Sequence, residues 1–253
     1  MIRFEERKEL KTKPAKDAEL GFGRIFTDYM ILADYTPEEG WHDARIVPYG
    51  PLNYNPGAMI FHYGQSTFEG LKAYYIDEHT IHLFRLEKNF ERMNNSNERL
   101  CIPKIDPKEF TEYIIEALKI EKDWIPKENG KSLYIRPMIV ATDECLGVHA
   151  SKTYQFVCMF CPVASYYKNG IEPVKIYVEH DYKRAVKGGT GFAKTAANYA
   201  QSLRSQEEAE LAGYAQVLWL DAIERKYIEE VGSMNIMFVI DDTVVTPELN
   251  GSI

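Results

Sequence analysis

Lys194 closes a glycine-rich run, Lys187-Gly188-Gly189-Thr190-Gly191-Phe192-Ala193-Lys194. Three glycines in four residues let the backbone adopt left-handed conformations that other residues disfavour. A helix-forming stretch, Thr195-Ala196-Ala197-Asn198-Tyr199, starts directly after the lysine. Two chemistries use a lysine at such a junction. It is a cation that binds phosphate, or an amine that bonds covalently to a carbonyl carbon.

The phosphate reading sets Gly188, four intervening residues and Ala193-Lys194-Thr195 against the P-loop pattern, which it misses by one residue. Val217-Leu218-Trp219-Leu220-Asp221 resembles the apolar strand that ends in a magnesium-binding aspartate. Ala193 stands where that loop needs glycine to wrap phosphates, so a nucleotide-binding protein is the weaker reading. The covalent reading asks for a lysine that forms a Schiff base with an aldehyde cofactor, pyridoxal phosphate being the common one. Such a site needs an anion at the ring nitrogen, a donor at the phenolic oxygen and cations or N–H groups at the phosphate. Tyr199 is placed on the same helix as Lys194, five residues on, for the phenolic oxygen. Glu230 precedes Val231-Gly232-Ser233-Met234-Asn235 and suits the ring nitrogen, with Gly232 and Ser233 as backbone and hydroxyl donors. Arg92 is a candidate phosphate cation. Taken singly, these have ordinary readings: a surface lysine, a core tyrosine and a solvated glutamate.

Elements of both kinds must carry these residues. Strands are expected at 29–35, 133–141 and 154–163, and a hairpin over 73–84. Leu86, Phe90, Met93 and Leu100 give one apolar face to a helix over 86–100. Asp106 and Pro107 open a second helix whose stripe is Phe110, Ile114, Ile115 and Leu118. A polar, turn-rich stretch at 166–171 reads as a linker between a small α/β domain, 1–165, and a larger domain, 172–253. Beyond it, strands are expected at 174–178, 216–220, 226–229, 235–240 and 243–246, with one main helix over 195–212. Each domain is thus a mixed or antiparallel sheet flanked by helices, an α+β or α/β fold. About 80 residues with one main helix make a thin core for the second domain.

The 253 residues carry a formal charge of −8, with 45% hydrophobic and 27% charged residues. That balance fits a soluble globular protein and disfavours nucleic acid and anionic membranes as partners. The start is charged where a signal peptide is apolar, and no apolar run reaches the ~20 residues of a membrane span. A cytoplasmic location follows. Cys158-Met159-Phe160-Cys161 has redox spacing, and Cys145 with His149 would complete four metal ligands. The pair lies in an apolar strand, where residues three apart face opposite sides, so both read as buried thiols and no metal is expected.

Together these residues resemble the branched-chain amino acid aminotransferases, pyridoxal phosphate enzymes of fold type IV. The resemblance rests on ordered motifs: Phe22-Gly23-Arg24-Ile25-Phe26-Thr27-Asp28-Tyr29-Met30, then His62-Tyr63-Gly64-Gln65-Ser66-Thr67-Phe68-Glu69-Gly70-Leu71-Lys72-Ala73. Phe84-Arg85-Leu86 with Phe90-Glu91-Arg92-Met93, Tyr134-Ile135-Arg136-Pro137, the Lys194 loop, Asn198-Tyr199 and Glu230 to Asn235 follow. It implies that Lys194 carries the Schiff base and moves the proton. Glu230 pairs with the ring nitrogen, Tyr199 with the phenolic oxygen, and Arg92 and Ser233 with the phosphate. Phe22, Tyr63, Tyr134 and Arg136 shape the substrate side of a homodimeric enzyme. The reaction implied is amino transfer between leucine, isoleucine or valine and 2-oxoglutarate, in branched-chain amino acid biosynthesis. A D-amino acid aminotransferase or an aminodeoxychorismate lyase of the same fold is the alternative. The family continues past Gly251-Ser252-Ile253 into a Leu-Pro-Gly turn, a phosphate-binding helix and a Gly-Thr-Ala loop. The resemblance therefore implies an incomplete second domain, with weaker cofactor binding and slower turnover.

Overall fold

The computed structural model describes residues 2–165 and 172–253, so the linker expected at 166–171 lies outside the described residues. The chain divides into two units, Met1–Gly170 and Ile171–Ile253.

In the first unit the strands are β1 (Arg3–Phe4), β2 (Tyr29–Thr36), β3 (Gly40–Pro48), β4 (Ser66–Phe68), β5 (Leu71–Asp77), β6 (Thr80–Leu83), β7 (Ser132–Ala141) and β8 (Tyr154–Val163). The helices are α1 (Met59–Tyr63), α2 (Leu86–Arg99) and α3 (Pro107–Ile120). One curled sheet takes the order β1-β3-β2-β8-β7-β5-β6, with β4 also on β7, and all pairings but β1–β3 are antiparallel.

Two-residue alternation divides the long strands between two faces. Ile31, Leu133, Ile135, Ile139, Phe156, Cys158 and Phe160 pack in the main core with Phe90, Met93, Phe110 and Ile114 of α2 and α3. Met30, Leu32 and Val157 pack in a separate cluster with Val47, Met138 and Met159. Cys158 and Cys161 are both buried, and burial pushes both thiols up. Asp106 caps α3 by accepting the Lys108 N–H at 2.9 Å, a contribution of about 1 kcal/mol. The buried stripe of α3 includes Ala117, whereas the expected Ile115 is exposed. Pro137 sits in the central strand β7 without disrupting it. Its carbonyl accepts from Glu69 N–H, so its missing donor faces the interruption between β4 and β5.

The second unit contains β9 (Ile176–Val178), α4 (Ala196–Leu211), β10 (Gln216–Leu220), β11 (Ile228–Val231), β12 (Phe238–Ile240) and β13 (Thr243–Val245). β10 lies between β9, parallel, and β11, antiparallel. Val217, Trp219 and Ala209 form its small core. Asp241 and Asp242 both take positive φ in the β12–β13 hairpin turn. Several strands differ from expectation. Residues 226 and 227 belong to a turn, because the Asp221 carboxylate accepts backbone N–H groups of Ile223, Glu224, Lys226 and Tyr227. Those bonds hold the Asp221 carboxyl far below its usual range. The aspartate that a nucleotide site would give to magnesium is thus a turn-maker. β11 then runs on through Glu230 to Val231.

One buried acid in the first unit has no part in the sites below. Glu121, at the end of α3, is 1% exposed and accepts the Tyr29 N–H at 2.6 Å. Burial pushes its carboxyl up to about 7, against the Tyr29 and Thr27 hydrogen bonds, and the neighbouring Asp28 adds to the rise. A raised acid binds its proton more tightly when folded. The stability it contributes is therefore full below the ordinary pKa near 4.5 and is lost as pH rises through 7. The shift corresponds to about 3 kcal/mol at most. Urea unfolding followed by tryptophan fluorescence should show stability falling between pH 5 and 7.5. Glu121→Gln should flatten that fall, and an equally steep fall in the variant would remove Glu121 as its cause.

Candidate active site

The glycine-rich loop is tied to the helix that follows it. Asn198, in the first turn of α4, donates Nδ2 to Thr190 O at 2.8 Å and Ala193 O at 2.6 Å. Its Oδ1 accepts from the Thr190 hydroxyl at 2.8 Å. Gly191 is required sterically, since a Cβ there would lie 1.8 Å from Ser252 O and 2.4 Å from Ala185 Cβ. The helix opens at Ala196, after an extended Thr195, so Lys194 stands before α4 rather than on it. The half-buried Lys194 Nζ lies 2.9 Å from the Tyr199 hydroxyl.

Glu230 faces the same group of residues. It pairs with Trp219 across β10 and β11, where Glu229 is an extra residue that bulges the strand. Glu230 is 7% exposed. Its Oε1 is 3.1 Å from Arg184 Nε, yet that oxygen has no aligned hydrogen-bond donor. Burial pushes the Glu230 carboxyl up, while the charges of Arg184 and Lys194 oppose the rise. Gly232 is in the left-handed conformation (φ 60°). Its N–H, expected as a cofactor donor, is already committed to Val217 O at 2.7 Å, and its carbonyl accepts from Trp219 Nε1 at 3.0 Å. The neighbouring Ser233 is exposed. Lys194, Tyr199, Glu230 and Arg184 thus form one cluster in the second unit. Arg184 escaped the sequence reading because a lone arginine in Tyr182-Lys183-Arg184 resembles any surface cation.

The other expected residues belong to the first unit. Arg92, on α2, makes a two-pronged contact with the fully buried Glu69, Nε to Oε1 at 2.6 Å and Nη2 to Oε2 at 2.7 Å. Half of its side chain stays exposed, beside a 340 Å³ cavity that Arg85, Lys88 and Asn89 also line. Tyr134 and Arg136 lie two apart on β7, on the face away from the main core. The Tyr134 hydroxyl accepts from Arg136 Nη2 at 2.9 Å, and Phe22 meets the Tyr134 ring edge-on at 4.8 Å. The Arg136 guanidinium covers Phe68 at 4.6 Å. Gly70 makes room for this group, since a Cβ there would lie 2.0 Å from the Tyr134 hydroxyl. Tyr63 has a different partner, donating its hydroxyl to Leu146 O. Among the described residues, no group of three or more His, Cys, Asp or Glu is placed to hold a metal ion.

The second-unit cluster fits pyridoxal phosphate on its own donor set. An amine sits beside a phenol, and a buried carboxylate keeps one oxygen without a hydrogen-bond donor. A protonated ring nitrogen is the kind of donor that oxygen lacks.

Comparison with known proteins places the chain in a family. The family model for amino-transferase class IV matches residues 66–253. The chain is 58% identical to branched-chain-amino-acid aminotransferase 2 of Bacillus subtilis (strain 168), covering 100% of this chain and 69% of that protein. It is 53% identical to branched-chain-amino-acid transaminase 1 of the same organism, covering 100% and 71%. Among solved structures, the branched-chain aminotransferase of Thermoproteus uzoniensis with norvaline matches with a TM-score of 0.71 at 21% identity, covering 89% of this chain and 70% of that one. The branched-chain amino acid aminotransferase from Escherichia coli matches with a TM-score of 0.67 at 23% identity, covering 88% and 68%. At those identities the likeness speaks for the fold.

The contact at Gly191 yields a direct test. Gly191→Ala should destabilise the second unit by about 1–3 kcal/mol, because the neighbouring atoms include backbone that has to shift. Thermal unfolding measures this, and an unchanged midpoint would mean that the loop does not pack against Ser252.

Proposed function

The chain belongs to the class IV aminotransferases, and from that premise we propose how its residues divide the transamination of leucine, isoleucine and valine with 2-oxo acids. Class IV aminotransferases use pyridoxal 5′-phosphate, whose aldehyde captures an amine and whose protonated ring accepts electrons from the carbon that loses a proton. The observation that carries the reading is the cluster about Lys194: Nζ at 2.9 Å from the Tyr199 hydroxyl, near a buried Glu230 on which the charges of Arg184 and Lys194 act.

Lys194 Nζ would be the amine that holds the cofactor's aldehyde, and as a base beside the substrate it would move the Cα proton. Glu230, with Arg184 and Lys194 opposing the rise that burial causes, would face the ring nitrogen and favour a proton there. Tyr199 would donate its hydroxyl to the phenolic oxygen. Ser233 would offer its hydroxyl to the phosphate, and Arg92 is the candidate phosphate cation on the first unit. Phe22, Tyr134 and Arg136 line the substrate side, with aromatic surface for an apolar side chain and a guanidinium for a carboxylate. Their association in one cluster supports that role, whereas Tyr63 rests on the resemblance alone. A homodimer and a cytoplasmic location complete the proposal. No described helix is long and apolar enough to cross a membrane.

The test is a transamination assay with leucine and 2-oxoglutarate. Lys194→Ala should lose activity by at least ~10²–10⁴-fold, the span of one general acid–base group. Glu230→Gln should lose turnover far more than affinity for the cofactor. Turnover by Lys194→Ala near that of the unaltered chain would refute the assignment.

A further inference from the structure

Arg184 is 5% exposed, an unusual depth for a guanidinium. Its Nε faces Glu230 Oε1 at 3.1 Å, and its guanidinium carbon lies 5.6 Å from the centre of the Tyr199 ring. Its Nη1 is buried with no hydrogen-bond partner. The loop that carries it is built to bring it inward. Glu179, at the end of β9, accepts the N–H groups of Asp181 and Tyr182 and the hydroxyl of Ser205 on α4.

Stability alone does not account for this residue. A buried donor without an acceptor costs about 1–3 kcal/mol. Buried ion pairs are often replaced by apolar residues of similar volume at no cost. We propose that Arg184 is a positioning residue of the transamination site, holding the Glu230 carboxylate and the Tyr199 ring in place about Lys194. This rests on the reading of Lys194 given above.

The charges facing Glu230 give Arg184 a distinct part. They are Arg184 from the loop after β9, Lys194 from the end of the glycine-rich loop, and Glu229 from its own strand. Lys194 would be the residue that carries the cofactor, so the charge it offers Glu230 would depend on whether the cofactor is bound to it. A guanidinium does not titrate in proteins. Arg184 therefore supplies the counter-charge that persists through both halves of the reaction.

The experiment titrates Glu230 itself, in the chain without cofactor. Glutamate labelled with ¹³C at the carboxyl carbon is followed by NMR across pH, with Glu230→Gln identifying the signal. Circular dichroism checks the fold of each variant. Arg184→Met should raise the Glu230 midpoint by at least about one pH unit, a tenfold change in proton affinity. Arg184→Lys should restore most of that shift, which a space-filling role would not. Arg184→Gln, neutral and polar, provides the same reading should the methionine variant fail to fold. An unmoved Glu230 midpoint in a folded neutral variant would overturn the proposal. Failure of the Lys194 reading shows separately, as transamination by Lys194→Ala.

Discussion

A carboxylate taken out of water is costly unless cations face it, and Glu230 is held on that condition. Arg184 and Lys194 both lower a carboxyl that burial raises. Much of the second unit can be understood as the means of meeting that condition. The bulge at Glu229 sets Glu230 opposite Trp219. Asn198 fastens the glycine-rich loop to α4, which fixes where Lys194 leaves the backbone. Glu179 folds the preceding loop so that Arg184 points inward. Two loops, the first turn of α4 and a strand bulge thus bring four ionisable side chains together on a small apolar core.

The first unit follows a different logic. Its large core comes from strict alternation along β7 and β8, which leaves a second face for Tyr134 and Arg136. Gly70 and Pro137 meet at the break between β4 and β5. There the sheet gives up ladder hydrogen bonds and gains room for the Tyr134 hydroxyl. Glu69, fully buried beside that break, is tied to Arg92 on α2. The same interruption therefore links the Tyr134–Arg136 cluster to the candidate phosphate arginine.

Elements with strong periodicity were legible in the sequence. α2, α3, β7 and β8 each bury a regular stripe, and Asp106-Pro107 marks a helix start by its own chemistry. β3 was not legible. Its residues Trp41-His42-Asp43-Ala44-Arg45 lack clean alternation, because a bulge sets Asp43 and Ala44 opposite the single Ala33. α1 is only five residues long, too short to show a period. At the site, Lys194, Tyr199 and Glu230 were reachable through their motifs. Arg184 was not, since its burial comes from hydrogen bonds made by Glu179, which no local pattern encodes. The commitment of the Gly232 N–H to Val217 depends on sheet pairing and was equally hidden.

The central claim is that Lys194, alone among the chain's lysines, bonds the aldehyde of pyridoxal phosphate. The direct measurement mixes the chain with the cofactor, reduces the imine with borohydride and maps the modified peptide by mass spectrometry. The account predicts the label on Lys194, in the peptide that begins after Lys187. A label spread over exposed lysines, or none on Lys194, would contradict it.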